Sequence, residues 1–363
     1  YGGDLIGMTE TLFPDLRKVA RTEHEVAIYI ANGHGAWEAS LRNTLVAGDK
    51  VLVITTGKFG PGWAAMAETH GIDVQILDFG MQGDADPDQL EAALREDVNG
   101  EIKAVLTVQT DTASSVKNDI PALRKAIDAA NHDALFMVDC IASLACDRFE
   151  MDAWGVDLMV AGCQKGLMTP PGISFVYFNP KARKARERAN PGQYFDWNLR
   201  IDVEIYYQYF CGTCPTQHIF GLREALDMLL NEEGLEAAWN RHERLASAVW
   251  AAIDAWGDGT SICHNIADPA KRSVAVSTVN TGVGEAAKLR QWAEFEGGTT
   301  LGVPLGFDVD PDNHFRIGHM GHLNIPMILG TLGAIDTCFK SLNIPHGDNA
   351  LAAAASSLSQ TKA

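Results

Sequence analysis

Short runs of apolar residues alternate with amphipathic stretches between residues 25 and 179 of the chain. We interpret these runs as β-strands at residues 26–30, 51–54, 74–77, 104–108, 135–138, 158–160 and 173–178. One intervening helix is indicated by Trp37, Leu41 and Leu45, which are spaced by four and precede Gly48. Another is indicated by an Asp-Pro pair at 86–87, which supplies an N-cap and a first helical residue.

Apolar strands joined by helices are typical of a mostly parallel sheet that is covered on both faces. The pattern therefore predicts an α/β fold with a large three-layer α/β/α domain over residues 1–225. The pattern then changes to helices at 222–230 and 235–256, a strand at 274–279, a helix at 285–294, a strand at 315–317 and a helix at 325–339. We interpret residues 226–345 as a smaller C-terminal α+β domain, and the Ala/Ser-rich residues 346–363 as a flexible tail.

The composition narrows the classes of function. The chain has 363 residues and a net charge of −18, which argues against a nucleic-acid partner. No apolar run reaches the roughly 18–20 residues of a membrane span, and no signal peptide is recognised, so we expect no membrane association. Seven cysteines, an odd number, indicate free thiols and a reducing, cytoplasmic location.

The most informative chemistry lies at the end of the run at residues 158–163. Gln164 and Lys165 follow this run directly, and a Pro-Pro-Gly turn comes next at 170–172. A lysine at the mouth of a buried strand suits a desolvated amine that condenses with a carbonyl. The strand at 135–138 leads into Asp139, a carboxylate at the tip of a second buried strand. A Schiff-base lysine and an acid that keeps a pyridine nitrogen protonated are the minimum of a pyridoxal 5'-phosphate (PLP) site.

Three further loops are predicted to reach the same edge of the sheet. A Gly-rich turn with Gly33 and His34 precedes a predicted helix, and the N-terminus of a helix stabilises an anion. His34 either adds a hydrogen bond to that anion or caps the turn. Phe59 follows the second strand and either stacks on a planar ring or belongs to the core. Thr112 belongs to a hydroxyl-rich loop at 109–115 that offers hydrogen bonds to a phenolic oxygen. Ligands of α/β sheets bind at the carboxyl ends of the strands, where these loops converge.

In the second domain, Arg316 lies between Phe315 and Ile317. If these two neighbours face a core, Arg316 faces the other way, where a guanidinium suits a substrate carboxylate or a structural ion pair.

Metal binding is not predicted. Cys211 and Cys214 have the spacing of a redox pair or half a zinc site, but no second ligand pair follows, and two packing residues are the simpler interpretation. The histidines at 314, 319 and 322 lack a completing carboxylate or cysteine at ligand spacing. Acidic stretches at 84–88 and 308–312 lack the glycine and glutamate of a calcium loop.

The chain resembles class V aminotransferases of the fold-type I PLP enzymes, most closely the alanine–glyoxylate and serine–glyoxylate aminotransferase branch. The motifs that carry the resemblance are the glycine turn before Trp37-Glu38, Val138-Asp139, the segment 162–166 with the turn 170–172, and the segment 315–319. The resemblance implies an aspartate-aminotransferase-like fold. It also implies that Lys165 binds PLP covalently and moves the substrate proton, that Asp139 pairs with the ring nitrogen, and that Arg316 holds the amino-acid carboxylate.

The resemblance further assigns residues around the cofactor. Those that would contact the ring or its oxygen are Phe59, Thr112 and Ile141, and those that would hold the phosphate are Gly33, His34, Gln164 and, from a neighbouring subunit, Thr213. It implies a homodimer, sometimes a tetramer, with shared sites.

The sequence departs from the family pattern in three ways. Phe210 stands where relatives have a phosphate-binding tyrosine, which Tyr209 is expected to replace, and Ser115 stands where relatives have glycine. Ahead of the first predicted strand, at 26–30, we recognise no counterpart of the family's N-terminal Gly-Pro loop.

The activity implied is a ping-pong transfer of an amino group from serine, alanine or aspartate to a 2-oxo acid, chiefly glyoxylate. Pyridoxamine–pyruvate transamination and a cysteine desulfurase or lyase reaction with Cys263 as the mobile thiol are alternatives. A non-catalytic binding protein with a buried Lys-Asp pair is the alternative outside this class.

Overall fold

A computed structural model describes residues 2–201, 203–308 and 310–360. Its strands are β1 (Glu25–Tyr29), β2 (Lys50–Thr55), β3 (Asp73–Asp78), β4 (Ile102–Val108), β5 (Thr110–Asp111), β6 (Val116–Lys117), β7 (Leu135–Asp139), β8 (Leu158–Gly162), β9 (Ser174–Phe178), β10 (Cys263–His264), β11 (Val276–Asn280) and β12 (His314–Gly318).

The helices are α1 (Leu5–Ala20), α2 (Gly33–Thr44), α3 (Phe59–Thr69), α4 (Pro87–Glu96), α5 (Ile120–Ala129), α6 (Pro180–Ala185), α7 (Gly192–Phe195), α8 (Asn198–Ile201), α9 (Thr216–Asp227), α10 (Leu235–Trp256), α11 (Ala286–Phe295), α12 (Ile325–Ser341) and α13 (Ala350–Ser359). A π-helical turn, Met228–Glu233, joins α9 to α10. No helix in the described ranges is both long enough and apolar enough to cross a membrane.

The main sheet has seven strands in the order β1-β9-β8-β7-β4-β2-β3. The neighbours among β2, β3, β4, β7 and β8 are parallel, as predicted, and β9 alone runs antiparallel to both of its neighbours, β1 and β8. The carboxyl ends of β2, β4, β7 and β8 therefore lie along one edge. The carboxyl end of β1 lies at the same edge, because β1 and β8 both run antiparallel to β9. The loops that follow these five strands are the ones in which the sequence placed its candidate chemistry.

Both faces of this sheet are buried, which explains why its strands are apolar throughout. Alternate residues point to opposite faces: Val26 and Ile28 enter one core, whereas Ala27 and Tyr29 enter the other. Helices α1, α4, α5 and α9 contribute to the first core, and α2, α3 and α6 to the second. The predicted three-layer α/β/α architecture is confirmed.

The C-terminal part has its own core around the antiparallel sheet β10-β11-β12. Helices α10 to α13 cover this sheet, and the buried side chains include Phe315 and Ile317 of β12. The change of core lies within α10, because Trp239 still packs in the first core whereas Leu245 packs in the third. The predicted boundary between residues 225 and 226 falls earlier, inside α9.

The expectation of a flexible tail is wrong for residues 350–359, which form helix α13. Ala350, Ala354 and Leu358 are spaced by four and are buried in the third core. The guanidinium of Arg244 on α10 donates hydrogen bonds to the carbonyl of Leu358. Alanine has the highest helix propensity, and its small side chain permits close approach to a neighbouring helix, so this composition suits a packed helix. Residues 361–363 of the predicted tail lie outside the described residues.

Candidate active site

The sheet edge predicted from the sequence contains a cavity of about 200 Å³. Residues from four predicted loops line it together, and Lys165 and Asp139 are both among them. The lining consists of Asn32, Gly33, His34, Trp37, Phe59, Val108, Thr110, Thr112, Asp139, Ile141, Ala142, Gln164 and Lys165. Eight of the residues predicted from the resemblance to contact the cofactor are thus brought into one pocket.

Lys165 lies in a tight turn directly after β8. Its carbonyl accepts the backbone N–H of Met168 at 2.9 Å, and Thr169 closes the turn by donating twice to the Cys163 carbonyl. A methyl group at Gly166 would overlap the carbonyl oxygen of Leu144, so the close approach of these two segments requires glycine there. Burial, and then the nearby positive charge of Arg316, lowers the pKa of Lys165.

Asp139 is the last residue of β7 and is only 3% exposed. Its Oδ1 accepts the backbone N–H of Ile141 at 2.6 Å, and its Oδ2 accepts the indole N–H of Trp37 at 2.7 Å. Burial raises the pKa of Asp139 to about 7, although these two donors and the charge of Lys165 favour the carboxylate. A cation placed against this carboxylate would relieve the cost of its burial.

The glycine turn is formed by the start of helix α2. Asn32 caps this helix, because its Oδ1 accepts the N–H groups of His34 and Gly35. Gly33 is buried directly against Ile141, and a methyl group at this position would overlap the Ile141 side chain. The N-terminal end of α2, where the helix dipole favours an anion, therefore faces the cavity.

Gln164 lies between β8 and Lys165 and also lines the cavity. Its side-chain oxygen is buried without a hydrogen-bond partner among the described residues. A buried amide group normally has hydrogen-bond partners, so this side chain indicates that a polar group belongs in the cavity.

Arg316 comes from β12 of the C-terminal part and contacts Thr112, one of the residues that line the cavity. Its Nη1 donates to the carbonyl of Thr112 at 2.9 Å, and its Nε donates to the carbonyl of Val303 at 2.7 Å. Phe315 and Ile317 point into the third core, as predicted, while Arg316 faces the other way. Both hydrogen bonds go to backbone carbonyls, so they orient the guanidinium without neutralising its charge.

Other candidate residues are not brought to this cavity. Thr213 is exposed and does not line it in its own chain, and Phe210 is buried among Tyr206 and Tyr209 in the first core. Cys263 is exposed on β10 and lines a different cavity, together with Arg272.

The histidines considered for metal binding have other positions. His319 is buried between the Val274 carbonyl and the Ser277 hydroxyl, and His314 stacks on Phe307. Within residues 2–201, 203–308 and 310–360, no group of three or more His, Cys, Asp or Glu side chains is arranged to hold a metal ion.

Comparison with known proteins identifies the family. The family described as Aminotransferase class-V matches residues 19–293. The chain is 39% identical to serine–glyoxylate aminotransferase of Methylorubrum extorquens, over 92% of this chain and 83% of that protein. It is 37% identical to L-aspartate–glyoxylate aminotransferase of Paracoccus denitrificans, over 91% of this chain and 82% of that protein. The chain belongs to the class V aminotransferase family.

A solved structure gives the same result for the fold. Ureidoglycine–glyoxylate aminotransferase from Bacillus subtilis superimposes on this aminotransferase with a TM-score of 0.88. The match covers 98% of this chain and 90% of that one at 24% identity. The predicted aspartate-aminotransferase-like fold is therefore confirmed, and the family implies PLP as the cofactor.

Two residues of the aminotransferase site were missed by the sequence reasoning. Trp37 was assigned to a predicted helix and to a family motif but not to the site, although its indole contacts Asp139. Asp111 is fully buried, and it accepts the backbone N–H groups of Phe59 at 2.8 Å and Ala113 at 2.9 Å. It thereby ties the loop after β2 to the loop that contains Thr112. An acidic residue within an otherwise hydroxyl-rich loop was the available signal.

A third feature is a clamp from helix α10 onto the turn of Lys165. Gly321 follows β12 and lies against the Lys165 backbone carbonyl. The N–H of Gly321 donates to His242 Nε2 at 3.0 Å, and its carbonyl accepts Arg241 Nη1 at 2.8 Å. His242 Nδ1 contacts the Ala238 carbonyl at 2.7 Å, which only accepts, so both partners require the neutral imidazole. Burial lowers the pKa of His242, which agrees with this tautomer.

Proposed function

We propose that this aminotransferase uses PLP to move an amino group from a small amino acid to a 2-oxo acid, with glyoxylate as the acceptor, by a ping-pong mechanism. Serine, alanine and aspartate are the donors considered. The observation that carries the proposal is that Lys165 and Asp139 line one cavity, and that Arg316 binds the backbone of Thr112, which lines it too. The serine–glyoxylate and aspartate–glyoxylate names of the two relatives support the choice of acceptor.

The residues of the cavity fit PLP on several independent points. Asp139 is a buried carboxylate whose pKa is raised to about 7, so a protonated ring nitrogen would supply the missing cation. The start of α2 offers an anion site for the phosphate, and the buried side-chain oxygen of Gln164 has no hydrogen-bond partner within residues 2–201, 203–308 and 310–360. Phe59 and Ile141 supply apolar surfaces for a ring, and Thr112 supplies a hydroxyl.

When bound, PLP supplies a carbonyl that takes up the amino group and an electron sink for the α-carbanion. Lys165 acts through its Nζ. Because its pKa is lowered, a larger fraction of the amine is neutral near pH 7, and only the neutral amine can attack a carbonyl or accept a proton. Asp139 would hold its carboxylate against the protonated ring nitrogen of the bound cofactor.

Arg316 is proposed to bind the α-carboxylate of the donor. Two of its N–H groups are engaged by the Thr112 and Val303 carbonyls, which fix the plane of the guanidinium. The remaining N–H groups of the guanidinium are available for the two oxygens of a carboxylate. Arginine binds carboxylates most strongly through such paired hydrogen bonds. Serine, alanine and aspartate share this carboxylate, so kinetic comparison of donors is required to rank them.

We further propose a homodimer, alone or paired into a tetramer. Large apolar side chains are exposed along the segment that follows β1 and along α7, α8 and the turn after them: Ile30, Tyr194, Leu199, Ile205 and Tyr207. Thr213 follows this surface along the chain and is exposed. In the proposed dimer, Thr213 of one subunit would reach the cavity of the other. All seven cysteines are present as thiols, which supports the cytoplasm as location. Light scattering of the purified protein measures the assembly directly.

The activity is tested with wild-type protein, Lys165→Ala and the control Lys103→Ala. Lys103 is an exposed lysine whose amine binds the Gly100 carbonyl, away from the cavity. Each protein is incubated with PLP, one donor and either glyoxylate or pyruvate, and the new amino acid is quantified. We expect glycine from glyoxylate in the wild type and the control, and a loss in Lys165→Ala that exceeds the roughly 10²–10⁴ of a positioned base. Equal glycine formation by Lys165→Ala would overturn the proposal.

The same assay separates the alternative reactions. Pyridoxamine with pyruvate replaces the amino donor in one arm, and cysteine replaces it in another with sulfide as the readout. The position of Cys263 at a different cavity favours transamination over desulfuration. If the wild type released sulfide and Cys263→Ser did not, desulfuration would be favoured over transamination.

A further inference from the structure

The indole of Trp37 makes one of the two hydrogen bonds to the Asp139 carboxylate. Its Nε1 lies 2.7 Å from Oδ2, while Oδ1 accepts the Ile141 N–H. Trp37 is 1% exposed and lies on α2, and this contact joins residues 102 positions apart in the sequence. Whenever Asp139 is ionised, the bond is a buried, charge-assisted hydrogen bond of the kind that contributes more than a neutral one.

The direction of the indole N–H is fixed by aromatic neighbours. Trp63 stacks on Trp37 with ring centroids 6.0 Å apart and an interplanar angle of 13°. Phe59 meets it edge-on at 6.3 Å, and His34 lies 4.7 Å away. The indole ring has contacts on more than one side, so it cannot turn its N–H away from Asp139 without disturbing them.

Two N–H donors on one carboxylate favour its charged form. The charged and titratable groups that face Asp139 are Lys165, which favours the carboxylate, and Asp111 and the Cys140 thiol, which do not. Burial is the largest influence and favours the neutral acid. The two hydrogen bonds are thus the largest influences that lower the Asp139 pKa against the effect of burial. They also fix the direction of both carboxylate oxygens.

We infer that Trp37 is a positioning residue whose indole N–H holds the Asp139 side chain as an oriented carboxylate facing the cavity. The inference rests on the proposed function, because the role of the oriented carboxylate would be to meet the ring nitrogen of PLP. Trp37 does not itself touch the reacting atoms.

The experiment compares Trp37→Phe with Trp63→Phe. Trp63 is equally buried and stacks on Trp37, but its own indole N–H has no hydrogen-bond partner in the part of the chain that the structure describes. Both variants remove a similar volume, and only Trp37→Phe removes a donor from Asp139. In cofactor-free protein labelled with [4-¹³C]aspartate, the carboxyl resonance of Asp139 is identified by its absence in Asp139→Asn, and its pKa is measured by pH titration.

We expect Trp37→Phe to raise the Asp139 pKa by about one to two units, since a hydrogen bond to a charged group is lost. Trp63→Phe is expected to leave this pKa within about 0.3 units of wild type, because no donor is removed. Equal shifts in both variants, or none in Trp37→Phe, would overturn the inference. If Trp37→Phe does not fold, benzothienylalanine at position 37 replaces the N–H by sulfur in nearly the same shape, and the same shift is expected.

A second readout is the affinity of each protein for PLP. Wild-type protein is expected to bind PLP more tightly than Trp37→Phe by tenfold or more, with Trp63→Phe within threefold of wild type, measured by visible absorbance. The two readouts separate the two proposals. A pKa shift in a protein whose wild type binds no PLP overturns the proposed function and the purpose assigned to Trp37. Tight PLP binding with an unshifted Asp139 pKa overturns the role of Trp37 alone.

Discussion

Replacing Asp139 with asparagine is predicted to change how the stability of the cofactor-free protein depends on pH. Burial raises the pKa of this carboxyl from 3.8 to about 7 in the folded chain. Between these two values the folded state binds more protons than the unfolded state, so stability falls as pH rises. Asp139→Asn does not titrate and is expected to lose this part of the pH dependence.

The magnitude follows from the two pKa values. Each pKa unit corresponds to about 1.4 kcal/mol. Between pH 5 and pH 8 the Asp139 carboxyl is therefore expected to lower the free energy of unfolding by on the order of 2–3 kcal/mol. The absolute stability is a poorer test, because asparagine offers only one acceptor to the Trp37 and Ile141 N–H groups and a lost hydrogen bond costs about 1–3 kcal/mol.

The assay is urea denaturation of cofactor-free protein at pH 5 and pH 8. The control is Asp133→Asn, which removes one negative charge from a fully exposed aspartate. Between pH 5 and pH 8, we expect the free energy of unfolding of the wild type and of Asp133→Asn to fall by on the order of 2–3 kcal/mol more than that of Asp139→Asn. With saturating PLP the wild-type difference is expected to shrink, because a protonated ring nitrogen favours the carboxylate. Equal pH dependence in all three cofactor-free proteins would refute the electrostatic reasoning for this site.

Three further predictions concern the residues around the cavity. Arg316→Ala is expected to weaken donor binding by about 1.5–3 kcal/mol, seen as a higher KM; an unchanged KM would remove Arg316 from the site. His242→Leu leaves the Gly321 N–H without its acceptor, so we expect a loss of about 1–3 kcal/mol in denaturation together with a lower kcat; unchanged stability would contradict the clamp. Gly166→Ala is expected to lower both stability and PLP loading, whereas Gly330→Ala, which meets open space in α12, is expected to be neutral or stabilising by up to about 1 kcal/mol. Equal behaviour of the two glycine variants in thermal unfolding would contradict the packing of the lysine turn.

Much of the fold was predictable because parallel strands buried on both faces produce continuous apolar runs. The same regularity placed Lys165 and Asp139 at strand ends, and strand ends of a parallel sheet share one edge. Arg316 was predictable from the alternation of its neighbours, since a side chain between two core residues of a strand must point the other way.

The hydrogen bonds within the site were not predictable in the same way. The contact of Trp37 with Asp139 depends on how α2 packs against β7, and a periodic pattern gives the buried face of a helix but not the direction of an indole N–H. The clamp on Gly321 depends likewise on the packing of α10 against the loop after β12. For α13, a composition that was interpreted as flexible is the composition of a small-residue helix packed on a neighbour.

The central claim is that one amine, Lys165, binds PLP covalently. The most direct measurement is borohydride reduction of the wild-type protein saturated with PLP, followed by peptide mapping by mass spectrometry. We predict one stable adduct on the peptide that contains Lys165, and its loss in Lys165→Ala. An adduct found mainly on another lysine, with Lys165 left unmodified, would contradict the claim.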